Sequence, residues 1–149
     1  MAQQLAQAAI DPETEIDLAF LTTRVERAYG WSRPLAEQAV TEYKKFMWLC
    51  KVEPHVQHHV GGLVDKVWHE HILHTKRYAS FCEEFVGHFV HHVPAEDAVA
   101  RNHTAATQQR VLALFGTVAS DLWVNPSGAV GATCSNENQE GGCTQAARD

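Results

Sequence analysis

Apolar positions along the chain recur three and four residues apart in several separate stretches, which is the spacing of helices with one buried face. Ile16, Phe20, Leu21, Val25, Ala28 and Tyr29 predict a first helix from about Thr14 to Tyr29, with Gly30 as its stop. Ser32 and Pro34 mark the start of a second, whose stripe is Leu35, Ala39, Tyr43, Phe46, Met47 and Cys50. Glu53-Pro54 ends it. The paired glycines of His55–Gly62 predict a loop, and a third helix begins near Leu63. Thr75 is placed to cap a fourth from Lys76 to about Val90, although the pattern equally allows one continuous helix. Gly87 inside it is a weak point or a close backbone approach. His91-His-Val-Pro94 breaks the helix. A fifth spans Thr104 to Val118, with Val111, Leu112, Phe115 and Val118 inward.

No repeat and no β pattern stands out. The pattern predicts an all-α fold, a compact bundle of about five helices with a flexible C-terminal tail. Residues 1–124 form a single helical domain on this reading, with a loose leader over 1–12. Residues 125–149, rich in Gly, Ser, Asn and Gln, form a Cys- and Gly-containing tail.

Composition narrows the function. At 149 residues, 45% hydrophobic and 20% charged, the chain buries a core without needing a metal or disulfide to fold. Twelve basic and 18 acidic side chains give a net charge of −6, and no basic stripe occurs, which argues against nucleic acid as a partner. The first residues lack the basic and apolar regions of a signal peptide, and no stretch is apolar for long enough to span a membrane. The expected location is cytoplasmic, so none of the four cysteines is expected in a structural disulfide. Cys50 and Cys82 fall in apolar helical stripes, and Cys134 and Cys143 in the tail.

The ten histidines change the picture most. They concentrate around Val67-Trp-His-Glu-His-Ile-Leu-His74, with His58-His59 before it and His91-His92 after it. Asp65 and His69, four apart, share a helix face, as do His71 and His74, three apart. His69 and His71 are two apart and fall on nearly opposite faces, so they bind one ion only if the helix breaks between them. His71 and His74 project within the apolar stripe of Leu63, Val64, Val67, Tyr78, Phe81, Cys82 and Phe85. There an imidazole needs either a metal or a hydrogen-bond partner. Imidazole with carboxylate suits a transition metal, Zn, Fe or Cu, and nothing points to an organic cofactor. Three protein ligands leave an open position, whereas four close the site. Asp65 could alternatively fix the tautomer of His69. The spacing is not the His-Glu-x-x-His of metalloproteases. Trp68, Tyr78 and Cys82 read as core, and the Cys134/Cys143 spacing matches neither a redox nor a zinc-ribbon motif.

Val64-Asp-Lys-Val-Trp-His-Glu-His through Tyr78 and Cys82, followed by Gly87 and His91-His-Val-Pro94, resembles the glycine-rich domain-containing protein-like family, as a small bacterial member. The shared pattern falls on Asp65, Trp68, His69, His71, Tyr78, Cys82 and His91 or His92, within about residues 15 to 123. The resemblance implies a helical domain without a settled activity and favours Asp65, His69 and His71 over His74. His74 and His58-His59 look particular to this chain, and the long glycine-rich repeat is missing.

Three readings follow. The first is a histidine-rich metal site, with or without catalysis, on Asp65, His69, His71 and His92, with Glu70 a candidate acid/base. The second is a non-catalytic module with structural histidines and a protein partner. The third is a carrier or leader for a processed C-terminal peptide.

Overall fold

The computed structural model describes residues 16–94, 99–124 and 132–135. The leader, the expected helix start at Thr14, and Cys143 lie outside them. The fold is all-α, with five α-helices among the described residues and one small sheet.

Helix α1 (Ala19–Tyr29) starts later than the apolar pattern suggests, because Ile16 and Leu18 enter the core from a non-helical segment. Gly30 ends it in the left-handed region (φ 70°), its N–H donating to Glu26 O at 2.9 Å. Helix α2 (Arg33–Val52) is capped by Ser32, whose Oγ accepts from Leu35 N, and has Pro34 in its first turn. Its stripe is buried from Ala39 to Cys50 and packs against α1 and α3.

Helix α3 (Gly62–Leu73) and helix α4 (Thr75–Phe81) are two helices, not one. The chain breaks at His74 (φ −89°, ψ 70°), whose N–H donates to His71 O instead of continuing the α ladder. The Glu70 carbonyl released by that break accepts from His74 Nδ1 at 2.8 Å, so the side chain replaces the lost backbone donor. α4 runs into a π turn, Cys82–Val86, closed by Gly87 at φ 97°, four residues short of the expected end. Helix α5 (Val99–Phe115) buries Val111 but leaves Leu112 half exposed, contrary to the inward face expected of it. A 3-10 turn, Ser120–Trp123, follows.

Two buried features hold that turn against the bundle. Glu42 Oε1 accepts from Ala119 N (2.9 Å) and Trp123 Nε1 (3.0 Å), while its other oxygen pairs with Lys45 at 2.8 Å. Lys45 also donates to the carbonyl and hydroxyl of Thr117. At the start of α3, Gly62 has φ 58°, and a Cβ there would lie 2.6–2.8 Å from backbone atoms of Leu122 and Val124. Only glycine permits that approach.

The sheet is the element that the hydrophobic pattern does not show. β1 (His59–Val60) and β2 (His91–Pro94) both pair antiparallel with β3 (Ala132–Ser135), which lies between them. β3 comes from the stretch read as tail, and it places Cys134 opposite His92. No helix among the described residues is long and apolar enough to cross a membrane.

Candidate metal centre

The site is built on α3. Val64, Val67, Trp68 and His71 form its buried face, so Asp65 and His69, one turn apart, share another face. β2 then brings His92 to them. Its position is set through Trp68, whose ring centroid lies 4.3 Å from that of His92. Trp68 is itself pinned, since its Nε1 donates to Tyr78 OH at 2.9 Å and Tyr78 OH donates to the Val90 carbonyl. Val90 lies two positions before His92, so one chain of hydrogen bonds joins α3, α4 and the strand that carries the imidazole.

Asp65, His69 and His92 thereby converge, each offering one ligand atom within 4.8 Å of the others. His92 Nε2 lies 2.9 Å from Asp65 Oδ1 and 2.9 Å from His69 Nε2, and His69 Nε2 lies 3.4 Å from Asp65 Oδ2. Ligand atoms at about 2.05 Å from one ion stand about 2.9 Å apart at right angles and about 3.3 Å apart at tetrahedral angles. The observed separations lie near that range, those to Asp65 ending on different carboxylate oxygens, and the group could hold a metal ion. The side chains of Asp65 and His92 are 15% exposed and that of His69 is 47% exposed, so the cluster opens to solvent on the His69 side. Burial lowers the pKa of His69 against the opposing pull of Asp65, with His92 adding to the lowering. A neutral imidazole is the ligating form.

His71 does not join the cluster. α3 is regular through His69 and breaks only at His74, so His71 points to the core. It is fully buried there with Nδ1 2.7 Å from Tyr43 OH. Burial, with His74 second, depresses its pKa to about 4. Its Nε2 is buried without a hydrogen-bond partner among the described residues, a condition that costs about 1–3 kcal/mol. Glu70 is also away from the cluster, accepting from Tyr29 OH (3.2 Å) and Arg24 Nη2 (3.4 Å) of α1. The Tyr29 phenol is pushed up to about 12 by burial and by Glu70. Trp68, Tyr78 and Cys82 are core residues.

His58 is fully buried, and its Nε2 lies 3.5 Å from Glu53 Oε1. Burial, reinforced by His59, lowers its pKa to about 4. Its backbone N–H donates to Cys134 Sγ at 3.2 Å, which places Cys134 in the core and not in solvent. That pairing left no mark in the sequence, because the four residues of β3 sit in a polar, glycine-containing context.

The fold and the cluster define a helical domain with a solvent-open Asp-His-His group that could hold a metal ion. The model of the UCP032817-like family matches residues 18–124, and the chain belongs to that uncharacterised family. This corrects the resemblance to the glycine-rich domain-containing protein-like family, which the match does not support. No curated protein and no solved structure matches the chain.

Proposed function

We propose that this protein is a metal-binding helical domain in which Asp65, His69 and His92 hold one transition-metal ion, Zn, Fe or Cu. The observation that carries this reading is the convergence of two imidazole nitrogens and a carboxylate oxygen within 4.8 Å of one another. Two histidines and one carboxylate form the donor set of open Zn and non-haem Fe sites. With three protein ligands and solvent access beside His69, the ion keeps positions free for a further ligand. When bound, the ion supplies Lewis acidity there, or redox chemistry if it is Fe or Cu. Asp65 and His92 hold the buried side of the site, and the Trp68–Tyr78–Val90 chain keeps His92 in place. Metalloenzyme activity is the further step this reading allows.

The test is elemental analysis of untagged protein, since a histidine tag would add ligands of its own. Near-stoichiometric metal is expected in the wild type and in folded His71→Ala. It should be lost in Asp65→Asn, His69→Ala and His92→Ala. Folded wild type that holds no metal after purification and reconstitution would overturn the reading. The three side chains would then be a hydrogen-bonded surface group, and the search would turn to protein partners.

A further inference from the structure

The buried thiols are nucleophiles that the candidate metal centre does not use. Cys50, Cys82 and Cys134 are unbridged and lie in the core, none more than 4% exposed. Cys50 comes from the buried face of α2, and Cys134 from β3, the middle strand of the sheet. Their side chains meet, and the two thiols are hydrogen-bonded to each other. Cys82 has other partners, the Tyr78 hydroxyl and the Val90 backbone. Backbone pairing fixes the place of Cys134. Its N–H donates to the His58 carbonyl at 3.0 Å, and it stands opposite His92 in the register with β2. Its Sγ accepts from His58 N at 3.2 Å.

Two buried thiols in contact favour one product on oxidation. A sulfenic acid formed on either sulfur has the other thiol as its neighbour and condenses with it to a disulfide. The His58 N–H stabilises negative charge on Cys134 Sγ, which makes Cys134 the sulfur that attacks. Burial selects the oxidant. Hydrogen peroxide is uncharged and close to water in size, whereas a bulky charged disulfide has no ready approach to a residue 4% exposed.

We propose that a hydroperoxide converts Cys50 and Cys134 to a reversible disulfide, which fastens the middle strand β3 to α2. The Cys134 thiolate attacks the peroxide. An S–O bond forms, the O–O bond breaks, and the leaving hydroxide takes the proton that the thiol gave up, as water. The Cys50 sulfur then attacks the Cys134 sulfur. The S–S bond forms, the S–O bond breaks, and a second water leaves with the Cys50 proton. The two thiols lose two electrons and two protons, and the peroxide gains both. A thiol reductant restores them by exchange.

The experiment exposes the full reduced chain, folded and stripped of metal by a chelator, to hydrogen peroxide. Removing metal keeps the outcome independent of the Asp65–His69–His92 site. After alkylation, trypsin and Glu-C separate all four cysteines, because Glu137 and Glu140 lie between Cys134 and Cys143. Loss of two hydrogens in the intact mass and a peptide pair joining Cys50 to Cys134 are expected. The bond should raise Tm by about 5–10 °C, and dithiothreitol should reverse the gain. Oxidised glutathione should form the same link at least about tenfold more slowly. A link from Cys50 to Cys82 or from Cys134 to Cys143, or all thiols intact after prolonged exposure, would overturn the proposal. So would a Tm that the mapped bond leaves unchanged, or equal rates with the two oxidants.

Discussion

Replacing Tyr78 by Phe removes one oxygen atom and tests whether the candidate centre depends on its frame. That oxygen accepts from Trp68 Nε1 at 2.9 Å and donates to the Val90 carbonyl, and both aromatic residues are buried. In the variant, Trp68 Nε1 becomes a buried donor with no partner, at a cost of about 1–3 kcal/mol. Loss of the bond to Val90 adds about 0.5–1.5 kcal/mol. The expected destabilisation is about 2–4 kcal/mol, or roughly 10 °C in Tm for a domain of this size. Urea unfolding followed by tryptophan fluorescence reads it directly. Because Trp68 packs on His92 and Val90 precedes it by two residues, metal affinity should also fall, although no proposed ligand has been altered. The kind of precedent is loss of a group that orients a ligand, which weakens affinity by about 10–100-fold. A variant with stability within about 0.5 kcal/mol of wild type would refute the hydrogen-bond argument. Unchanged metal affinity in a clearly destabilised variant would refute the claim that this chain positions His92.

Gly62→Ala should cost about 2–4 kcal/mol in chemical denaturation, from left-handed strain together with overlap of the new Cβ with the 122–124 backbone. Gly30→Ala, at φ 70° with open space around it, should cost only about 1 kcal/mol, so equal costs would remove the case for a close approach at Gly62. His58 has a folded pKa of about 4, below the about 6.5 of an unfolded histidine, so the unfolded state takes up the proton first as the pH drops. Its contribution is complete above about pH 6.5 and declines toward pH 4 by about 3 kcal/mol. Urea midpoints across that range should fall less steeply in His58→Leu, and parallel slopes would count against the assignment. Glu42→Gln, which keeps an acceptor but strips the buried partner of Lys45, should destabilise by about 3 kcal/mol or more. Thermal unfolding that matches wild type would show the pair to be dispensable.

Much of the helical framework was legible in the chain. The Ser32 cap, Pro34 and the stripe from Leu35 to Cys50 define α2 from local chemistry alone, and Gly30 marks the end of α1 for the same reason. The four-residue spacing of Asp65 and His69 also follows from sequence, because helix geometry puts those positions on one face. The same geometry set His71 apart from His69. What it could not supply was which distant side chains would meet either face.

Tertiary structure decided the rest. His92 reaches Asp65 only because the π turn, Gly87 and the Tyr78–Val90 bond deliver β2 to the side of α3, contacts that span 12 to 27 residues. β3 lies in a polar stretch whose four residues carry no period of their own, and its strand character comes from two partners, one of them over 70 residues earlier. Helical periodicity and caps act within one or two turns, so the sequence states them directly. A ligand set drawn from a helix and a distant strand exists only once packing has chosen which surfaces meet.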